Sequence, residues 1–168
     1  MLNPNKMNFN TIEEKENYLI NIYSRARFAL IKNKSVKHLI KYHETHKYLF
    51  MTINKNILSE MGILLANTNK SNIYLLYQAY YLLLLKLFKN PFSKRNRINT
   101  LEHMYGYFKY LITEEEKSKY FEAQENYRLG KIAFSIPLNM IKEFAIKFNQ
   151  TYILDQVIFE PYPKSIIL

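Results

Sequence analysis

The chain contains no cysteine. That absence excludes disulfides, thiolate zinc sites, cysteine nucleophiles and thiolate-held iron–sulfur clusters, and it fits a reducing compartment. Glycine and proline are scarce, with 3 and 5 copies in 168 residues, too few for a loop-rich β architecture. There is no Gly-x-Ser-x-Gly elbow, no Gly-rich phosphate loop and no close carboxylate pair with a clear acid–base role. The N-terminal stretch MLNPNKMNFNTIEEKEN lacks an apolar core and a small-residue cleavage site, so it does not read as a signal peptide. No apolar run reaches the roughly 20 residues of a membrane span. Even the greasiest segment is interrupted by Gln78 and Lys86. The expected location is the cytoplasm, with no membrane partner.

What remains is a helix-former composition. Apolar residues make up 48% of the chain, which suits a globular protein, and the many Leu, Ile, Lys, Glu and Tyr suit helices. At this length one domain spanning 1–168 is expected, able to bury roughly 70% of its unfolded surface. The formal net charge is +10, which favours a polyanionic partner such as nucleic acid. From Met61 to Leu101 there is no acidic residue, while Lys70, Lys86, Lys89, Lys94, Arg95 and Arg97 fall inside that stretch.

Start and stop signals divide the chain into seven or eight helices. Thr11-Ile12-Glu13-Glu14 is a capping box opening a helix to about Lys32. Ser35 can cap a second helix to about Ile53, and Asn54 to Thr68 reads as a third with Gly62 inside. Ser71 to Lys89 is apolar on nearly every side, as a central buried helix would be. Asn90-Pro91-Phe92-Ser93 breaks the pattern, and a fifth helix runs to near Ile112. Thr113-Glu114-Glu115-Glu116 is a second capping box, starting a helix that stops at Gly130, a C′ residue. Pro137 sits in the first turn of a seventh helix, and Tyr152 to Glu160 reads as a last short one. The predicted fold is all-α, a single bundle around the Ser71–Lys89 helix.

Polar residues at helical spacing mark the candidate sites. Asn99, His103, Gly106 and Tyr107 lie at i, i+4, i+7 and i+8 and share one helical face. Gly106 in a helix interior costs roughly 1 kcal/mol against alanine, which suggests a close approach at that face. His43, His46 and Lys47 stand at i, i+3 and i+4. Two histidines at that spacing do not match the zincin pattern, and no third ligand is evident, so no metal or other cofactor is expected. His43 and His103 could supply acid–base chemistry, but no nucleophile accompanies them and no catalytic residue is assigned. Of the tyrosines, Tyr74, Tyr77, Tyr80 and Tyr81 read as core, whereas Tyr42, Tyr105 and Tyr107 adjoin polar stripes and could stack on bases.

Several of these motifs coincide with a known pattern. Tyr42-His43-x-x-His46-Lys47 is followed by Asn99-x-Leu101-x-His103-x-x-Gly106-Tyr107-Phe108-Lys109. Tyr127-Arg128, Ile136-Pro137-Leu138 and Gln156 ahead of Pro161-Tyr162-Pro163 come next. This order resembles the YbgA-like family from about Glu14 to Lys164. The third helix departs from it, with Ser59-Glu60-Met61-Gly62 where the family shows Leu-Gly after a tyrosine. So does the end, Ile166-Ile167-Leu168. The resemblance implies a domain that occurs alone or joined to a cysteine-bearing domain similar to thiouracil desulfidases, in which the YbgA-like part would hold RNA, tRNA foremost. A chain without cysteine cannot be the desulfidase by itself.

The function expected from the sequence is therefore RNA binding, assisting a desulfidase partner in trans. Lys94, Arg95 and Arg97 would grip phosphates. His43 and Lys47 would face Asn99, His103 and Tyr107 across one site, with Gly106 permitting the approach. The alternatives are a protein-interaction domain that docks a partner enzyme, and an enzyme using His43 and His103.

Overall fold

Side-chain caps at Thr11, Asn72, Ser93 and Thr113 start the helices that follow them. A computed structural model of the protein describes residues 8–67 and 72–166; no strand occurs among these. The elements are α1 (Ile12–Ile31), α2 (Val36–Met51), α3 (Lys55–Ala66), α4 (Ile73–Leu87), α5 (Lys94–Tyr105), α6 (Glu114–Arg128), α7 (Ser135–Lys147) and α8 (Thr151–Leu154). A 3-10 turn at Val157–Phe159 follows. The fold is all-α. Lys70, Ser71 and Leu168, which entered the sequence reading, lie outside the described residues.

Thr113 caps α6 as a full capping box. Its hydroxyl accepts from the Glu116 N–H at 3.2 Å, and the Glu116 carboxylate accepts from the Thr113 N–H at 2.9 Å. At α1 the reciprocal arm is displaced by one residue. Thr11 accepts from the Glu14 N–H, but Glu14 reaches the N–H of Asn10 instead. Helix α6 ends in a Schellman motif. Lys131 N–H donates to the Asn126 carbonyl and Gly130 N–H to that of Tyr127, with Gly130 at φ 77°. A side chain at this φ is strained by about 1–2 kcal/mol. Gly130→Ala is therefore expected to lower stability by that amount, read as a drop in thermal midpoint, and Gly130→Asn by less.

The described residues form two compact units. The first is built from the described parts of Met1–Glu44, Asn56–Pro91 and Glu160–Leu168. Its core centres on Phe28, whose ring lies 5.5–5.8 Å from those of Tyr42, Tyr77, Tyr80 and Tyr81. Burying tyrosines requires partners for their hydroxyls. Tyr42 donates to the Ser24 carbonyl and Tyr77 to that of Ser35, both at 2.9 Å. Arg27 donates to the carbonyls of Pro161 and Glu160, which ties the Pro-Tyr-Pro tail to α1. Burial on α4 is one-sided rather than all-round. Leu76, Tyr77, Tyr80, Leu84 and Leu87 face inward, but Tyr74, Leu75 and Leu82 are exposed. Apolar residues on every side made this helix look central, and hydropathy alone does not tell which side is covered.

The second unit comprises Thr45–Lys55 and Phe92–Phe159. Here α7 packs against α5, α6, α8 and the 3-10 turn, and Leu101, Met104, Phe108, Tyr120, Ile141 and Ala145 are fully buried. Helix α5 stops seven residues earlier than the expected Ile112. Gly106 is its C-cap, at φ −51°, and the chain continues in tightened turns, with Phe108 N–H on the Tyr105 carbonyl at 2.8 Å. These turns keep Phe108 in the core while leaving Tyr107 and Tyr110 exposed. Gly106 is thus not a helix-interior residue. Among the described residues, a Cβ there would meet only the carbonyls of His103 and Glu102 within 4 Å. It marks a helix end, not the approach of another element.

Candidate functional site

The residues expected to form one site divide between the units. His43 belongs to the first; Lys47, Asn99, His103 and Tyr107 belong to the second. His43 is half-buried, with Nδ1 3.0 Å from the Tyr80 hydroxyl and its ring edge-on to that tyrosine. A Cβ on Gly62 would stand 3.9 Å from its Nε2. His43 is thereby held against the aromatic core. Tyr42 is itself core, 5% exposed, and cannot serve as a stacking platform. No group of three or more His, Cys, Asp or Glu positioned for a metal ion occurs among the described residues.

In the second unit, Lys47 and Tyr107 join one cluster. Lys47 Nζ lies 5.4 Å from the centre of the Tyr48 ring. Tyr48 is hydrogen-bonded to Tyr107. The Tyr152 ring lies 5.9 Å from that of Tyr107 and 6.4 Å from that of Tyr48. Burial and the bond to Tyr107 hold the Tyr48 phenol well above its ordinary pKa, so it stays protonated. Tyr107 is 40% exposed. Tyr48 and Tyr152 were not anticipated; nothing local in the sequence ties them to Tyr107. His46 is buried against Phe50 and meets Thr45 Oγ1. Tyr105 is 9% exposed and stacks on Tyr120 at 4.9 Å, so it too is core rather than a base platform.

Helix α5 sorts its basic residues into different roles. Lys94, Arg95 and Asn99 line one shallow groove, together with Ile98 and Glu102. Lys94 Nζ donates to the Arg128 carbonyl at 3.3 Å, supplying the last turn of α6 with a cation at its negative end. His103 is exposed in the last turn of α5, one turn beyond Asn99. Arg97 departs from the expectation that it grips phosphates. Its guanidinium lies over Phe92 at 4.7 Å and over Phe134 at 5.0 Å, a double cation–π contact. Arg97→Ala is expected to cost about 1–2 kcal/mol of stability while leaving the salt dependence of any RNA binding unchanged. Chemical denaturation and a binding titration check the two halves.

The largest basic feature lies elsewhere, in the first unit. From Asn17 to His43 there is no acidic residue, and Arg25, Arg27, Lys32, Lys34, Lys37 and Lys41 fall within. Lys32, Lys34 and Lys37 are exposed around the α1–α2 turn, and Asn33 holds that turn with φ 59°. Like Met61 to Leu101, this stretch is free of acidic residues.

Comparison with known proteins places the chain. It is 25% identical over 153 residues to the "Uncharacterized protein YbgA" of Escherichia coli (strain K12), covering 89% of this chain and 90% of that protein. No solved structure matches. The profile described as "Protein of unknown function (DUF1722)" matches residues 47–163, and the chain belongs to that family.

Proposed function

We propose that this domain is a cytoplasmic RNA-binding module, with tRNA as its substrate, able to act beside a thiouridine desulfidase as partner protein. The observation that carries the reading is the uncompensated charge at the α1–α2 turn. Ion pairs among the described residues include those of Lys86 with Glu60, Lys117 with Glu114, Lys119 with Glu115, Arg128 with Glu125 and Lys147 with Glu116. None involves Lys32, Lys34 or Lys37. Three exposed lysines without an acidic neighbour in sequence suit a phosphate backbone, whose neutralisation releases counterions. In this reading Lys94 and Arg95 add phosphate contacts in the second unit. Lys47, Asn99, His103 and Tyr107 serve as its local nucleotide contacts, and His43 serves the first unit. Competition tests the proposal. Unlabelled RNA is expected to displace labelled tRNA from the protein, and polyglutamate of equal charge to do so far less. Equal displacement by both would reduce the reading to non-selective charge attraction.

A second reading has its own observation. Tyr74, Leu75 and Leu82 are 49%, 59% and 66% exposed along α4, a row of apolar side chains that suits protein docking. Binding of a partner enzyme that persists at high salt and is lost in Leu75→Glu/Leu82→Glu would support it.

A further inference from the structure

We propose that a cavity in the first unit binds the base and phosphate of a single nucleotide. The choice of ligand rests on the RNA-binding reading, with which the site shares Lys32. The cavity measures about 610 Å³ between α1 and α4, within the range of small-molecule sites.

Its shape follows from the sequence of α1. Ala26 and Ala29 are the small residues that leave the space open. Behind them the floor is aromatic and closely packed. Phe28 and Tyr77 are 3% and 1% exposed, and Tyr81 completes the rim. Arg25 is preset at that rim, with Nη2 donating to the Tyr81 hydroxyl at 2.9 Å and the guanidinium 5.8 Å from the ring centre. A guanidinium has five N–H donors, so the rest remain for an anion. Lys32 lines the same cavity, seven residues on and so roughly 10 Å along the α1 axis. Gln78 adds an amide that both donates and accepts. An aromatic-floored cleft flanked by two cations and one amide matches a flat heterocycle bearing an anionic group. A base would lie against Tyr81, the one lining ring that is not fully buried, Gln78 would meet its polar edge and Arg25 the phosphate.

The test uses the full chain with AMP, adenosine and ribose 5-phosphate in calorimetric titrations. AMP is expected to saturate one site. Adenosine and ribose 5-phosphate should each bind at least about 10-fold more weakly, having lost the phosphate or the stack. Ala26→Leu/Ala29→Leu places good helix formers at exposed α1 positions and fills the space. It should weaken AMP binding at least about 10-fold while leaving the salt dependence of tRNA binding and the circular dichroism spectrum intact. Arg25→Gln, which keeps the cavity, should weaken AMP but not adenosine. A single-stranded RNA oligomer should compete with AMP and the same strand in a duplex should not. AMP that fails to saturate, or that binds the filled variant as tightly as the native protein, overturns the cavity inference. If tRNA still binds steeply with salt in that case, the RNA reading stands without it. If AMP binds as described but tRNA binding is flat with salt, the cavity stands and the RNA reading falls.

Discussion

Exchanging Lys32, Lys34 and Lys37 together for glutamine is expected to weaken tRNA binding roughly 100-fold at about 0.15 M salt. Each phosphate contact contributes about 0.7–0.9 to the slope of log affinity against log salt. Three lost contacts should therefore flatten that slope by about 2–3. The three lysines are exposed and take no part in the ion pairs named above. Thermal stability should stay within a few degrees of the native protein. The corresponding change at Lys94 and Arg95 should be smaller. Lys94 already serves the carbonyl end of α6, and Glu102 shares the groove with both. Equal effects from the two sets would mean that charge acts without regard to place.

The largest effect on stability is expected from Phe28→Ala. Phe28 is 3% exposed and its ring meets four tyrosine rings. Removing a buried phenyl group costs about 3–5 kcal/mol in transfer and cavity terms together, a large share of a typical 5–15 kcal/mol total. Phe28→Leu should recover more than half of it. Chemical denaturation of both variants gives the comparison; a loss under about 1 kcal/mol for Phe28→Ala would show that the first unit is not organised around this ring. The same tyrosine core predicts a pH dependence. Burial raises the phenol pKa values of Tyr42 and Tyr80 above their ordinary range. Below about pH 10 the folded and unfolded chains both keep these protons. Above it the unfolded chain releases them and the folded one does not, so stability should fall as pH rises past about 10.

Local signals carried the helical elements well. Thr11, Thr113 and Gly130 each announce a helix boundary through hydrogen bonds made within a few residues of themselves, and those bonds are present. What the sequence could not carry is which side of a helix is covered. Leu75 and Leu82 are as apolar as Leu76 and Leu84, yet only the second pair is buried. The end of α5 was missed for a related reason. Nothing between Gly106 and Ile112 forbids a helix, and the tightened turns depend on where Phe108 finds its core. Side-chain roles were least legible. Arg97 and Arg95 stand two apart on one basic run, but Phe92 and Phe134 claim the first, and Phe134 lies far along the chain. Of the three tyrosines that adjoin polar stripes, Tyr42 and Tyr105 are core and Tyr107 is exposed, and its partners Tyr48 and Tyr152 come from distant segments.

The central claim is that this basic helical domain binds RNA through phosphate contacts. It is tested most directly by the affinity of the native protein for tRNA measured from about 50 to 400 mM monovalent salt. Five or six contacts predict a log–log slope of roughly −4. A slope near zero, or no binding at the low-salt end, would contradict it.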